Sequence, residues 1–426
     1  MIIYDKKTID DVEVKGKRVL LRAEFNVPLD KSTNEITDDR RIKAALPTIR
    51  ALVERGARLI IVSHLGRPQG FDDKLSLKPV AKRLSELLEK PVIMAKDVIG
   101  EDAQDKAKAL KDGEILLLEN VRFHKEETKN KPEFAKALSA MADLYASDAF
   151  GAVHRAHAST AGVASFLPAV AGYTINRELE MLGRAVGRPK RPLTAVLGGA
   201  KVFDKIGVIR NLIDNVDNLL IGGGMAYTFQ AAKGWPVGTS LCETDKLDLA
   251  RELMALAEEK GVNFVLPVDT TVADRYAADA VPVIVDSDKI PDDMMGLDIG
   301  PKTSKLFQEV IASSGTVVWN GPVGVFEFEA FSRGTRELAR AIAEADIISI
   351  IGGGDSAAAI EQLGYADKMT HISTGGGASL EFLEGKVLPG IDCLLDRDPR
   401  SLVAAGNWKM NLGVPSEAES FLDKLI

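Results

Sequence analysis

The stretch His371-Ile372-Ser373-Thr374-Gly375-Gly376-Gly377-Ala378-Ser379-Leu380-Glu381 decides how the rest of the chain is read. Three consecutive glycines lack the Cβ that would shield the backbone, so their N–H groups can approach an anion closely, and Ala378 to Leu383 carries the pattern of a following helix. Such a loop is a phosphate cradle. A lone triple glycine is an ordinary turn as often as a site. Two more, Gly222-Gly223-Gly224 and Gly352-Gly353-Gly354, each stand directly after an apolar run, and the repetition points to a site.

Working outward, the same grammar of buried strand, polar loop and helix recurs. In the first half Val19-Leu20-Leu21 leads to Arg22-Ala23-Glu24-Phe25-Asn26, Leu59 to Val62 leads to Ser63 to Pro68, Ile115 to Leu118 leads to Glu119 to His124, and Leu144-Tyr145-Ala146 leads to Ser147 to Gly151. Helical patterns at Arg41 to Arg55 and Lys78 to Leu88 lie between them. Alternating strand and helix predicts a parallel doubly wound sheet, whose ligands sit beyond the carboxyl ends of the strands. That edge gathers Arg41, Arg67, Arg122 and Arg155 with His64 and His154, a set suited to a small polyanion because guanidinium forks match phosphate and carboxylate oxygens. His124 and His157 read as structural.

Between Phe166 and Pro192 the pattern becomes a punctuated helix, Thr174 to Val186, with Ile175, Leu179 and Leu182 on one stripe, the pattern of a connector between domains. The second half restarts the grammar with glycine-rich loops carrying lysines: Gly198 to Lys205, Gly222 to Met225, Asn320 to Glu327 and Gly352 to Ser356. Backbone donors and close approach suit a nucleotide. No Walker A string and no Gly-x-Gly-x-x-Gly opens a strand-helix unit, so P-loop and nicotinamide readings are disfavoured.

Bulk properties agree. A chain of 426 residues exceeds one ordinary core, and a formal charge of -8 argues against generic binding of nucleic acid or anionic membrane. Cys242 and Cys393 offer neither a disulfide framework nor metal-ligand spacing, which suits a cytoplasmic location. The charged stretch from Met1 to Val19 is not a secretory signal, and no apolar run approaches the roughly 20 residues that span a bilayer. An arginine-rich anion site joined to a glycine-rich nucleotide site suggests phosphoryl transfer, which needs alignment, cations or amides around the moving group, and a metal carboxylate. Arg41, Lys201 and the amides of Gly375 to Gly377 answer the first needs and Asp355 the last.

With these strings in view, residues 1–390 resemble the phosphoglycerate kinases, on Ser63 to Pro68, Ser147 to His157, Gly198 to Lys205, Gly222 to Phe229, Trp319 to Phe328 and His371 to Glu381. The resemblance implies an α/β fold of two doubly wound parallel-sheet domains joined by a hinge helix: 1–173 for the glycerate substrate, 174–187 the interdomain helix and 188–390 for nucleotide. It implies phosphoryl exchange between 1,3-bisphosphoglycerate and ADP, giving 3-phosphoglycerate and ATP with Mg²⁺, in a monomeric kinase. By similarity Glu24, Asn26, Arg41, His64, Arg67, Arg122 and Arg155 hold the glycerate, and Arg41, Lys201, Gly375 and Gly376 are catalytic. Lys205, Gly296, Glu327, Gly353, Gly354, Asp355 and Ser356 take the nucleotide, with Asp355 serving Mg²⁺ directly or indirectly. Two positions depart from the family pattern: Glu24 stands where the family has Asp, and Phe203 where a small residue is usual. The rest, 391–426, is read as a linker and strand-helix tail. Leu402 to Asn411 resembles the first strand of the triosephosphate isomerases, with Asn407 and Lys409 at that family's substrate positions, as in a piece of a kinase-isomerase fusion. The competing expectations are a non-catalytic relic binder and a fragment of a bifunctional enzyme.

Overall fold

The first strands are nearly continuous apolar runs, and such strands can only be satisfied inside a sheet covered on both faces. In the computed structural model, which describes residues 4–200, 202 and 205–397, they do so twice. Six parallel strands, β1 (Arg18–Arg22), β2 (Arg58–Val62), β3 (Val92–Met94), β4 (Ile115–Leu117), β5 (Leu144–Ser147) and β6 (Ala169–Ala171), form one sheet in the order β3-β4-β2-β1-β5-β6. After them come β7 (Leu193–Leu197), β8 (Asn218–Ile221), β9 (Asn263–Val265), β10 (Asp269–Ala273), β11 (Val283–Asp286), β12 (Met295–Ile299), β13 (Thr316–Asn320), β14 (Ile348–Gly352) and β15 (His371–Ile372). Six of these make a second parallel sheet, β15-β14-β13-β7-β8-β9. The other three form a small antiparallel sheet, β11-β10-β12, which the sequence reading does not anticipate.

Alternation across each strand divides the core. On β1, Leu20 joins one apolar cluster while Val19 and Leu21 join another on the opposite face; on β13, Val318 parts from Val317 and Trp319 in the same way. Helices cover these faces by their apolar stripes. Helix Arg40–Glu54 buries Ile42, Ala45, Ile49, Leu52 and Val53 at helical spacing.

The connector expected at Thr174 to Val186 is the helix Tyr173–Gly187. It buries Ile175, Leu179, Leu182, Ala185 and Val186 in the cluster that also holds Ala169 and Ala171 of the first sheet and Leu193, Ala195 and Leu197 of the second. Each leucine, isoleucine or valine among them contributes about 1.5–3 kcal/mol on burial, so one helix face joins both sheets into a continuous core. Its N-terminus is held by Asp148, at the end of β5, whose Oδ1 accepts from Thr174 N at 2.8 Å and whose Oδ2 accepts from Thr174 Oγ1 at 3.0 Å. Residues through Leu395 form a single packed unit. Lys201, Phe203 and the tail at 398–426 lie outside the described residues.

Candidate active site

Loops leaving the carboxyl ends of β1, β2, β4 and β5 converge on one cleft of about 320 Å³. From the first sheet it is lined by Glu24, Asn26, Arg41, His64, Arg67, Arg122, His154 and Arg155, and from the end of β15 by Thr374 and Gly375 to Gly377. All the predicted glycerate residues therefore meet, and the triple-glycine loop forms the facing wall. Asn26 is fixed at both ends, its Oδ1 accepting from Gly66 N at 2.8 Å and its carbonyl accepting from Arg41 NH1. Arg122 donates from NH1 to Gly66 O at 2.8 Å.

The cleft crowds cations against little negative charge. Burial, and then the guanidiniums of Arg22 and Arg155, push Arg122 down to about 10. Burial and Arg155 push His154 below the ordinary histidine range. A site that disfavours its own cations gains most when a polyanion enters. Glu24 is the carboxylate that lines it, with Oε1 3.7 Å from Arg41 NH1 and 3.9 Å from His64 Nε2. His124 and His157 do not line the cleft: His124 packs on the Phe134 ring at 5.0 Å, and His157 Nδ1 lies 3.8 Å from Glu127 Oε1.

The glycine wall is positioned from the connecting helix. Glu178, 1% exposed, accepts from Thr374 N at 2.7 Å and Thr374 Oγ1 at 2.9 Å through Oε1, while its Oε2 lies 2.8 Å from His371 Nε2. Gly375 is pressed against the Phe150 ring from the first sheet, and a Cβ there would stand 2.5 Å from Ser379 Oγ. Gly376 turns at φ +51°, in the left-handed region where only glycine is unstrained.

A second cavity of about 590 Å³ adjoins the first and shares Asn26, Arg41, Thr374 and Gly376 with it. Its far wall is the helix Gly354–Gln362, through Gly354, Ala357, Ala358 and Glu361, and Arg40 pairs with Glu361 across it. The predicted nucleotide residues are less gathered. Gly353 caps that helix at φ +88°, and Asp355 is exposed in its first turn. Ser356 is fully buried, its Oγ accepting from Gly321 N at 2.6 Å. Lys205 Nζ donates to Gly198 O at 2.6 Å and to Asn320 Oδ1 at 2.8 Å. Gly296 lies on β12, where any Cβ would run into Tyr227, and Glu327 is exposed.

Sequence reasoning passed over two groups here. Asn320 is 2% exposed, its Nδ2 has no hydrogen-bond partner, and that amide faces Gly352 and Gly353. It stands inside the quoted Trp319 to Phe328 string, so its position was visible and its orphaned donor was not. Glu178 carried no signal beyond a charged residue on the connector. Among the described residues no cluster of three His, Cys, Asp or Glu could hold a metal ion.

Comparison with known proteins follows this geometry. The family model "Phosphoglycerate kinase" matches residues 9–386. The phosphoglycerate kinase of Clostridium botulinum is 56% identical over 398 residues, covering 92% of this chain and 100% of the relative. That of Dictyoglomus turgidum is 58% identical over 396 residues, with the same coverage of 92% and 100%. Among solved structures, phosphoglycerate kinase from Coxiella burnetii superposes with a TM-score of 0.84 at 45% identity, covering 91% of this chain and 98% of that one. The enzyme from Pyrococcus horikoshii gives 0.79 at 36% identity, with coverage of 91% and 98%. Because the family match spans residues 9–386, which include both parallel sheets and every residue lining the cleft, the chain belongs to the phosphoglycerate kinase family.

Proposed function

We propose that the first cavity holds the glycerate ligand and that the nucleotide, seated on the second sheet's loops, directs its phosphates past Gly354 into the adjoining cavity, with Arg41 and the glycine loop at the border between them. The chain is a phosphotransferase of glycolysis, a phosphoglycerate kinase that exchanges a phosphoryl group between 1,3-bisphosphoglycerate and ADP, giving 3-phosphoglycerate and ATP. In this reading residues 1–173 bind the glycerate through Glu24, Asn26, His64, Arg67, Arg122 and Arg155. Residues 174–187 connect, and 188–390 bind nucleotide through Lys205, Gly296, Glu327, Gly353, Gly354, Asp355 and Ser356.

One observation carries the assignment: Arg41 and Gly376 line both cavities. A group crossing from one to the other must pass them, and charge spread over the equatorial oxygens of the moving phosphoryl is stabilised by a guanidinium and by backbone amides aimed at it. Gly375 and Gly376 supply those amides and Lys201 a second cation. The accepting oxygen belongs to a carboxylate already ionised near neutral pH, so no general base is required.

Asp355 would hold a hard cation such as Mg²⁺: it is an exposed oxygen donor beside Gly353 and Gly354 at the start of the helix Gly354–Gln362. Mg²⁺ bound there offsets phosphate charge. We assign the enzyme to the cytoplasm as a monomer, by its likeness to the glycolytic kinases it matches.

The test is a coupled assay of ATP consumption with 3-phosphoglycerate and Mg²⁺. Arg41→Ala and Lys201→Ala should each lower kcat by about 10²-fold or more, the cost of removing a charge-stabilising donor. Activity within threefold of the parent in both would refute the assignment.

A further inference from the structure

Beneath the cleft lies a buried polar chain that the reaction as described does not use. Arg22, the last residue of β1, is 1% exposed, so its guanidinium cannot touch a ligand above it. Its Nε donates to Ser159 Oγ at 3.0 Å, its NH1 donates to the Ala23 carbonyl, and its NH2 lies 2.8 Å from His64 Nδ1. Ser159 then donates from Oγ to Glu127 Oε1 at 2.7 Å and from N to Glu127 Oε2 at 2.9 Å. Glu127 is itself 1% exposed. With both oxygens accepting, it balances the arginine through the serine hydroxyl rather than by direct contact.

Guanidinium has donors and no acceptor. Its contact with Nδ1 is therefore a donation to a ring lone pair, which leaves the ring's proton on Nε2. Nε2 is the nitrogen on the cleft side, 3.9 Å from Glu24 Oε1.

We propose that Arg22 is a positioning residue that fixes His64 as the neutral Nε2–H tautomer, so that His64 presents one oriented hydrogen-bond donor to the cleft, with Ser159 and Glu127 holding Arg22 in place. The environment agrees: burial, then Arg22, Arg122, Arg41 and His157, push His64 well below the usual histidine range, and Glu24 is the opposing charge. What the donor is aimed at rests on the cleft being the glycerate site; the tautomer does not.

Ring-nitrogen NMR of ¹⁵N-labelled enzyme tests it directly, with the His64 signals identified by their loss in His64→Gln. The parent should show Nδ1 bare and Nε2 protonated, without titrating between about pH 6 and about pH 8. Ser159→Ala should mix the tautomers and raise KM for 3-phosphoglycerate about three- to tenfold, the value of one hydrogen bond, with a smaller change in kcat. Arg22→Lys, which keeps a donor, should preserve the tautomer better than Arg22→Met. A proton on Nδ1 or a cationic ring in the parent overturns the proposal, as does an unaltered tautomer in both Ser159→Ala and Arg22→Met. A fixed tautomer combined with unchanged 3-phosphoglycerate binding in His64→Gln supports the relay and refutes the assignment of the cleft.

Discussion

Replacing Glu178 should uncouple the glycine wall from the connecting helix, and the structure sets the size of the effect. In Glu178→Ala, Thr374 N, Thr374 Oγ1 and His371 Nε2 all lose the partner they had at 2.7, 2.9 and 2.8 Å. Bonds to a charged group are worth about 1.5–3 kcal/mol each, and because three bonds to one carboxylate do not add, the expected loss is about 3 kcal/mol or more rather than their sum. Glu178→Gln is the shape-conserving control. Its Oε1 can still accept both Thr374 donors while its amide donates to His371 Nε2, provided the ring moves its proton to Nδ1, so the loss should be nearer 1 kcal/mol. Denaturant unfolding measures the stability, and the coupled assay measures kcat/KM. The expected order is parent, Gln, then Ala, with Ala at least tenfold slower because Thr374 to Gly376 no longer hold their place over the cleft. An alanine variant within about 1 kcal/mol of the parent and within twofold of its kcat/KM would refute the reasoning, because the contacts would then be passive.

Other expectations follow from individual groups. Gly375→Ala would drive a methyl into the Phe150 ring and Ser379 Oγ, so kcat should fall by about tenfold or more while nucleotide affinity changes little; near-parental kcat would count against a glycine requirement at that position. Glu24→Asp, the residue type usual in the family, should raise kcat/KM by relaxing the carboxylate that crowds Arg41 and His64; an unchanged or lower value would refute this. Burial raises Asp148 to about 7 and Asp298 to about 8, so the folded protein holds protons the unfolded chain releases, and their stabilising contribution is lost as pH rises through those values. His157, lowered to about 4, and His64 and His154, also lowered by burial and neighbouring arginines, act oppositely, but only up to the unfolded histidine value near 6.5. Tm measured at constant ionic strength should therefore decline from about pH 6.5 to about pH 8.5; a flat or rising profile would argue against the buried aspartates.

Much of this architecture was legible because its strands are apolar throughout. Leu59 to Val62 and Ile347 to Ile351 cannot be solvent-facing, and the glycine loops mark their ends. The β10-β11-β12 sheet escaped notice because its strands carry the wrong composition: Asp269-Thr270-Thr271 and Asp298 read as loop residues. Their polarity is absorbed by contacts far away in sequence, Asp269 by Thr303 and Asp298 by Gly334 N, which only the fold creates. The same holds for Arg22, Glu127 and Glu178. A charged side chain in a string reads as surface or ligand, whereas here each is interior and acts on the site through a neighbour. Arg41, Arg67, Arg122 and Arg155 were readable because strand ends in such sheets converge on one edge, a rule needing no knowledge of partners. The nucleotide residues were harder, since backbone donors leave little trace beyond glycine.

The opening residues of the chain are completed by very late ones. Lys6 donates its ammonium to the carbonyls of Asp392 and Leu394, the latter 388 positions away, and main-chain bonds knit both ends of the chain to the outer edge at β6, with Lys7 N donating to Leu395 O, Leu395 N to Ala169 O and Ala171 N to Lys7 O. Leu388, Ile391 and Leu394 are buried there as well. At synthesis rates of about 5–20 residues per second, the ribosome delivers those side chains roughly 20–80 s after Lys6 has emerged. Throughout that interval the nascent amino-terminal half carries an open seam, closed only when Asp392 to Leu395 arrive.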